Sequence, residues 1–204
     1  LLDRAAERSI DAQYFVWHDD AVGMLLFEAV WRAAERGVRV RLLLDDLHTE
    51  GLDPAIAMLG AHPNVEVRLY NPFVQRDARL LAFAADFARL NRRMHNKSFT
   101  VDNQASVVGG RNIGNEYFGA STGIAFADLD VIAVGAAVPE VSKEFDLYWN
   151  SASAYPAAAF AGVGGADGAT RLTARFAATR ADPYAHSYVE AVRTTPLIRD
   201  LLDG

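Results

Sequence analysis

A chain of 204 residues, about half of them apolar, has material for one well-packed domain rather than two, and no apolar run reaches the ~18–20 residues of a membrane-spanning helix. With no cysteine, it has no disulfide, thiolate metal site or cysteine nucleophile. The net charge of −6 argues against nucleic acid as a partner, since such binders usually carry a positive balance or a dense basic stripe.

Ser9 to Trp17 (SIDAQYFVW) alternates and is rich in β-formers, which predicts a strand. His18-Asp19-Asp20 follows as a turn, with Asp20 a candidate N-cap. Ala21 to Arg36 has helical apolar spacing and is closed by Gly37. Val38 to Asp45 (VRVRLLLD) is a second strand whose leucine run predicts burial on both faces. Pro54 to Leu59 is a short helix, and Val65 to Tyr70 a third strand ended by Asn71-Pro72. These β-α-β-α-β units imply parallel strands joined by right-handed crossovers. The fold class is therefore α/β: a mixed, largely parallel sheet flanked by helices.

Asp77 to Leu90 is predicted as a helix carrying Leu80, Phe83, Phe87 and Leu90, with arginines near both ends. It reads as a core element, with a surface that meets a membrane or an acyl chain as the alternative. A hairpin runs from Met94 to Val101, turns at Asp102-Asn103 and returns through Ala105 to Val108. Asp128 to Val134 is a further strand. Pro139 marks the first turn of a helix reaching Trp149. Past Ser151 the composition shifts, and alanine- and glycine-rich Ala157 to Ala169 reads as a linker or surface loop. Tyr184 to Leu202 reads as a helix belonging to a later part of a longer protein. The chain opens and closes inside helix-like patterns, so it reads as a fragment: residues 1–150 a lobe, residues 151–204 a linker and the start of the next segment.

The chemistry concentrates in MHNKSFTVDNQASVVGGRN, Met94 to Asn112. Of 20 basic residues 18 are arginine, and one of the two lysines lies here. On a strand, His95 and Lys97 share a face with Cα atoms about 6.6 Å apart, so an imidazole and an ammonium converge on one phosphate. Gly109-Gly110 permits close backbone approach to a ligand. Asn112 can donate its amide to a phosphate oxygen, and Ile113 to Phe118 is expected to open a short helix favouring an anion.

His95-x-Lys97, four residues, Asp102, six residues, then Gly109-Gly110-x-Asn112 resembles the HKD motif of the phospholipase D superfamily. The phrases SIDAQYFVWHDD, RGVRVRLLLDD, NPF and GGRNIGNEYFG, within Ser9 to Asn150, are most similar to bacterial cardiolipin synthases, especially the C type. The resemblance implies a phospholipase D-like lobe, one of two, acting as a phosphatidyltransferase through a phosphohistidine. It implies His95 as nucleophile, with Lys97 and Asn112 stabilising the phosphate oxygens and Gly109 and Gly110 helping to bind it. Asp102 belongs to the signature, but a straight strand carries it ~17 Å from Lys97, and Asp-Asn at a turn has an ordinary structural role. Asp128 is either the carboxylate that orients the histidine or a plain strand-start residue. Glu116 carries no special role.

No cofactor is implied, and no clustered ligand set suggests a metal. None of His18, His48, His62 and His186 is followed at +2 by lysine, and His18 is expected in a loop. The second histidine of the reaction must come from a second lobe in the same full-length chain or from a homodimer. The implied partners are phospholipids, phosphatidylglycerol and phosphatidylethanolamine, at a membrane surface, the cytoplasmic side of the bacterial inner membrane. A phosphodiesterase or nuclease, a phospholipase D hydrolase, and a non-catalytic isolated lobe remain the alternatives.

Overall fold

The computed structural model describes residues 2–76, 86–121, 123 and 125–196. Within them the elements run α1 (Leu2–Ala5), β1 (Ser9–Val16), α2 (Ala21–Glu35), β2 (Arg39–His48), α3 (Asp53–Leu59), β3 (Val65–Tyr70), α4 (Phe87–Leu90), β4 (Ser98–Val101), β5 (Ala105–Gly109), β6 (Asp130–Val134), α5 (Ala137–Trp149), β7 (Ala154–Pro156), α6 (Gly168–Ala181) and α7 (Pro183–Thr194). The strands form one sheet in the order β6-β5-β4-β1-β2-β3-β7. β1, β2 and β3 pair in parallel, and the remaining neighbours are antiparallel. The predicted β-α-β-α-β unit is thus the centre of a mixed sheet, and parallel pairing stops there because the hairpin and β7 add antiparallel edges.

Alternation decides what each face buries. Ile10, Ala12 and Tyr14 of β1, Val40, Leu42 and Leu44 of β2, and Val65, Val67 and Leu69 of β3 point into the main core under α2, α3 and α6. Each such large side chain contributes about 1.5–3 kcal/mol by leaving water. Leu43, on the other face, packs with Met94 and with Phe145 and Trp149 of α5, so the leucine run is buried on both sides. Arg41 shares that second face, its guanidinium bonded to Asp11 at 2.6 Å and Asp146 at 2.8 Å and lying 4.7 Å from the Phe145 ring. The helix ends follow their signals. Asp20 caps α2 by accepting from the Gly23 N–H at 2.9 Å, and Gly37 takes the left-handed φ of 95° just after it.

Four expectations change. Of the helix expected over Asp77 to Leu90, Phe87–Leu90 is helical, with Leu90 buried and Phe87 exposed; Leu80 and Phe83 lie outside the described residues. The strand expected from Met94 begins at Ser98, because the Met94 N–H bonds to a side chain instead of a neighbouring strand. The strand expected from Asp128 begins at Asp130.

The fourth is the segment past Ser151, which is more than a linker. β7 pairs with β3, and Leu172 and Phe176 of α6 are buried in the main core. Its small residues serve close packing. The Gly164 N–H donates to Ala57 O at 3.0 Å, and a Cβ there would stand 2.8 Å from that same carbonyl and 3.1 Å from Met58 Cα. Gly164→Ala is therefore expected to cost about 1–2 kcal/mol in denaturant unfolding, as overpacking does. A change of a few tenths would return the segment to the linker reading.

Candidate active site

β4 runs antiparallel to β1, with Gln13 opposite Ser98, so the chain just before β4 lies at the carboxyl end of β1 and β2. That is where open α/β sheets bind ligands. The segment there is irregular and is pinned from below. Asp45, at 1% exposure, accepts from the Met94 N–H at 2.8 Å and from the Arg93 guanidinium at 2.9 Å. Arg93 also donates to Asn71 O, while the Asn71 amide donates to Arg89 O and Arg92 O. Asn71 sits at φ 51°, a left-handed conformation that asparagine tolerates. Met94 is fully buried, so the next residue, His95, is turned outward and exposed.

His95 and Lys97 do converge. Lys97 Nζ lies 3.1 Å from His95 Nδ1 and donates to the His95 backbone oxygen at 2.6 Å. The contact comes from this irregular turn rather than from shared strand parity. The Phe15 ring backs both, at 4.6 Å from the His95 ring and 5.3 Å from Lys97 Nζ. Burial, and then the Lys97 charge, hold the His95 pKa below its usual value. Burial also lowers Lys97, against the opposing pull of Asp128 and Asp45. Burial raises Asp45 to about 6 in spite of Arg93.

Asn112 is brought to the same end of the sheet. Ile113 N–H donates to Val16 O and His18 N–H to Ile113 O, so this stretch runs beside the end of β1. Asn112 is buried, its Oδ1 accepts from Val16 N–H at 3.0 Å, and its Nδ2 bonds no described residue. Two N–H donors are therefore left to point elsewhere.

The glycines make room for the neighbouring strand. A Cβ on Gly109 would stand 2.2 Å from Asp130 Oδ1 and 2.4 Å from Leu129 O; one on Gly110 would stand 2.7 Å from Asp128 Oδ1. Gly109 and Gly110 admit the neighbouring strand and its carboxylates. Asp128 thus lies against Gly110 and acts electrostatically on Lys97, while the near side-chain partner of His95 Nδ1 is Lys97 rather than Asp128. Arg111 bonds Asp130 at 2.6 Å and Asp128 O at 2.8 Å, stapling this corner.

Asp102 lies at the far end of β4 from His95. Its carboxylate accepts from the N–H groups of Glu7, Arg8 and Ser9 at 2.9, 2.8 and 2.7 Å, and these bonds hold its pKa below the usual carboxylate value. These bonds tie the β4–β5 turn to the chain that leads into β1. The expected anion-binding helix is a single 3-10 turn, Asn115–Tyr117, and the Asn115 N–H is taken by Asp20 at 2.7 Å. His18 pairs with Glu116 at 3.0 Å. Among the described residues, His18, Asp20 and Glu116 bring ligand atoms within 4.8 Å of one another, but the Asp20 oxygens already receive the Gly23 and Asn115 N–H groups. His62 pairs with Glu35 at 3.0 Å.

Phe15, Asp45 and Arg93 escaped the sequence reading. The available signal was a carboxylate closing a strand buried on both faces, a setting that shifts pKa values at functional sites.

Comparison with known proteins agrees with this geometry. A family profile described as cardiolipin synthase, PLD-like domain, matches residues 1–149. Cardiolipin synthase C of Escherichia coli (strain K12) is 48% identical over 203 residues, covering 100% of this chain and 43% of that protein. The chain thus spans less than half the length of that relative. Among solved structures, phosphatidylserine synthase of Haemophilus influenzae Rd KW20 aligns with a TM-score of 0.58 at 18% identity, over 89% of this chain and 39% of that one. NucT from Helicobacter pylori aligns with a TM-score of 0.54 at 15% identity, over 76% and 86%. Together the motif, the mixed sheet that presents it and the match over residues 1–149 establish that the chain belongs to the phospholipase D-like cardiolipin synthase family.

Proposed function

We propose that this chain supplies one half of the active site of a phosphatidyltransferase that makes cardiolipin through a phosphohistidine. The observation that carries the reading is the His95–Lys97 contact at 3.1 Å, exposed imidazole beside buried ammonium, at the carboxyl end of the sheet. The Lys97 ammonium is held by the His95 backbone oxygen, so in the attacking form the ring proton sits on Nδ1 and the Nε2 lone pair is left for phosphorus. Attack by Nε2 forms a P–N bond as the P–O bond to the leaving alcohol breaks; that alcohol takes a proton from an acid outside these residues. The hydroxyl of a phosphatidylglycerol then attacks phosphorus, giving its proton to the conjugate base of that same acid as the P–N bond breaks, and cardiolipin leaves. Lys97 and the free Asn112 Nδ2 donors stabilise the charge on the phosphate oxygens. Asp128 balances the Lys97 charge, and Asp45 fixes the backbone before His95.

The missing acid is assigned to a second lobe in the full-length chain. The share of the E. coli relative left uncovered supports this. So does the edge next to Asp128, where Leu129, Val131, Ile132 and Val134 are 52–80% exposed, an apolar surface that a single lobe does not cover. Among the described residues no helix is long and apolar enough to cross a membrane. We place the enzyme peripherally, on the cytoplasmic side of the bacterial inner membrane, with phospholipids as its partners.

The test is to incubate the full-length gene product with vesicles of phosphatidylglycerol, with and without phosphatidylethanolamine, and read the lipids by mass spectrometry. Cardiolipin is the expected product, and dependence on phosphatidylethanolamine identifies the donor. Phosphatidic acid alone makes the enzyme a hydrolase. No lipid turnover overturns the reading.

A further inference from the structure

The residues beneath His95 are assembled against the interest of stability. Leu43 and Asp45 lie two apart on β2 and face the same side of the sheet; Leu43 packs against Met94, and Asp45 takes the Met94 N–H. The Asp45 side chain has no exposure, and both its oxygens are used. Oδ2 accepts from Met94 N–H at 2.8 Å, and Oδ1 accepts from Leu47 N–H at 3.0 Å and from the Arg93 guanidinium at 2.9 Å. The charged groups around it are Arg93, Lys97 and the like-charged Asp46. Burial outweighs Arg93 and raises the Asp45 pKa from 3.8 to about 6. The folded value lies above the unfolded one, so this group favours the fold at low pH, and that contribution is lost as pH rises through about 6. Burial likewise lowers the Arg93 pKa, and Arg93 Nε, itself buried, bonds no described residue. At neutral pH a neutral side chain at Asp45 would suit the fold better.

What a carboxylate does here that no neutral side chain can do is accept from two sides at once; an amide of the same shape has one oxygen and turns an NH2 toward the other side. The Oδ2 bond fixes the backbone of Met94, the residue just before His95. The Oδ1 bond fixes Arg93, which reaches on to Asn71 O at 2.7 Å, while the Asn71 amide donates to Arg89 O at 2.8 Å and Arg92 O at 2.6 Å. The chain that leads into His95 is thus tied to the ends of both β2 and β3. We propose that Asp45 is a positioning residue for the reaction: its carboxylate holds the His95 segment so that the imidazole meets phosphorus in line, and its charge is kept for that purpose and not for the fold. This rests on the phosphohistidine reading above.

The experiment compares the full-length wild type with Asp45→Asn and Arg93→Lys on phosphatidylglycerol vesicles, at a pH well above 6 where Asp45 is ionised, reading kcat, KM and Tm. In Asp45→Asn the loss of a buried charge offsets the loss of one acceptor, so Tm is expected to stay near the wild-type value. Its kcat is expected to fall roughly 100-fold with KM within about twofold, because a misplacement of about 1 Å at the reacting group costs on that order. Arg93→Lys keeps the cation but not the fork that spans Asp45 and Asn71 O, and is expected to lose roughly three- to tenfold in kcat. It decides the matter if Asp45→Asn does not fold. A kcat equal to that of the wild type in either folded variant overturns the proposal. So does a Tm lowered to the assay temperature, since unfolding then accounts for the lost turnover. A wild type that turns over no lipid overturns the phosphohistidine reading and this proposal with it, a failure visible in the unmutated enzyme.

Discussion

His95→Ala in the full-length gene product is expected to lower lipid turnover by roughly 10⁴-fold or more and to abolish trapping of a phosphorylated enzyme, because alanine has no atom to form the P–N bond. The variant is expected to fold normally. His95 is exposed, and what holds its segment is Asp45 on the Met94 N–H and on Arg93, none of which involves the imidazole. The pH dependence follows from the surroundings. Burial, and then the Lys97 charge, lower the His95 pKa from 6.5, so the neutral nucleophile persists to more acid pH. The acid limb of kcat/KM is expected below pH 6.5. In Lys97→Met that limb is expected to move up toward 6.5 on top of a large loss of rate, because the charge that opposed protonation is gone. A limb that stays in place in Lys97→Met would show that this contact does not set the ionisation of His95.

Asp102→Ala is expected to destabilise the fold by about 3 kcal/mol while leaving the chemical site intact. Three N–H groups lose a charged acceptor; such bonds contribute about 1.5–3 kcal/mol each, and partial exposure lets water replace part of that. Asp102→Asn retains a neutral acceptor and is expected to lie between. The pH window has a definite sign. The folded-state pKa lies below 3.8, so the contribution is complete above about pH 4 and is lost as pH falls through the folded value. Denaturant unfolding across this range checks both the size and the window. If Asp102→Ala proved as stable as wild type but inactive, the aspartate would belong to the chemistry after all.

The central unit could be read directly from the residues. Alternation in β1 and β3, the leucine run of β2, the Asp20 cap and Gly37 are local signals, and each acts within one element or between sequence neighbours. The HKD spacing likewise singled out His95 and Lys97, which the structure brings within 3.1 Å of each other, because a motif is a statement about residue order. The position of Asp102 at a turn pointed to its anchoring role for the same reason.

The tertiary structure decided everything that depends on which distant segments meet. Gly109 and Gly110 read as a bare glycine pair in isolation, and only the arrival of the neighbouring strand shows that a Cβ on either would meet its backbone or its carboxylates. Gly164 looks like part of a linker until α3 lies against it. Met94 to Lys97 alternates like a strand, yet Asp45, 49 residues earlier in the chain, takes the Met94 N–H that a ladder needs. The register shift around Phe15, whose ring backs His95, leaves no mark in either strand alone, since such a shift belongs to a pair of strands. Periodicity and spacing report what a residue requires of its own element; the partners that meet the requirement are chosen by packing across the sheet.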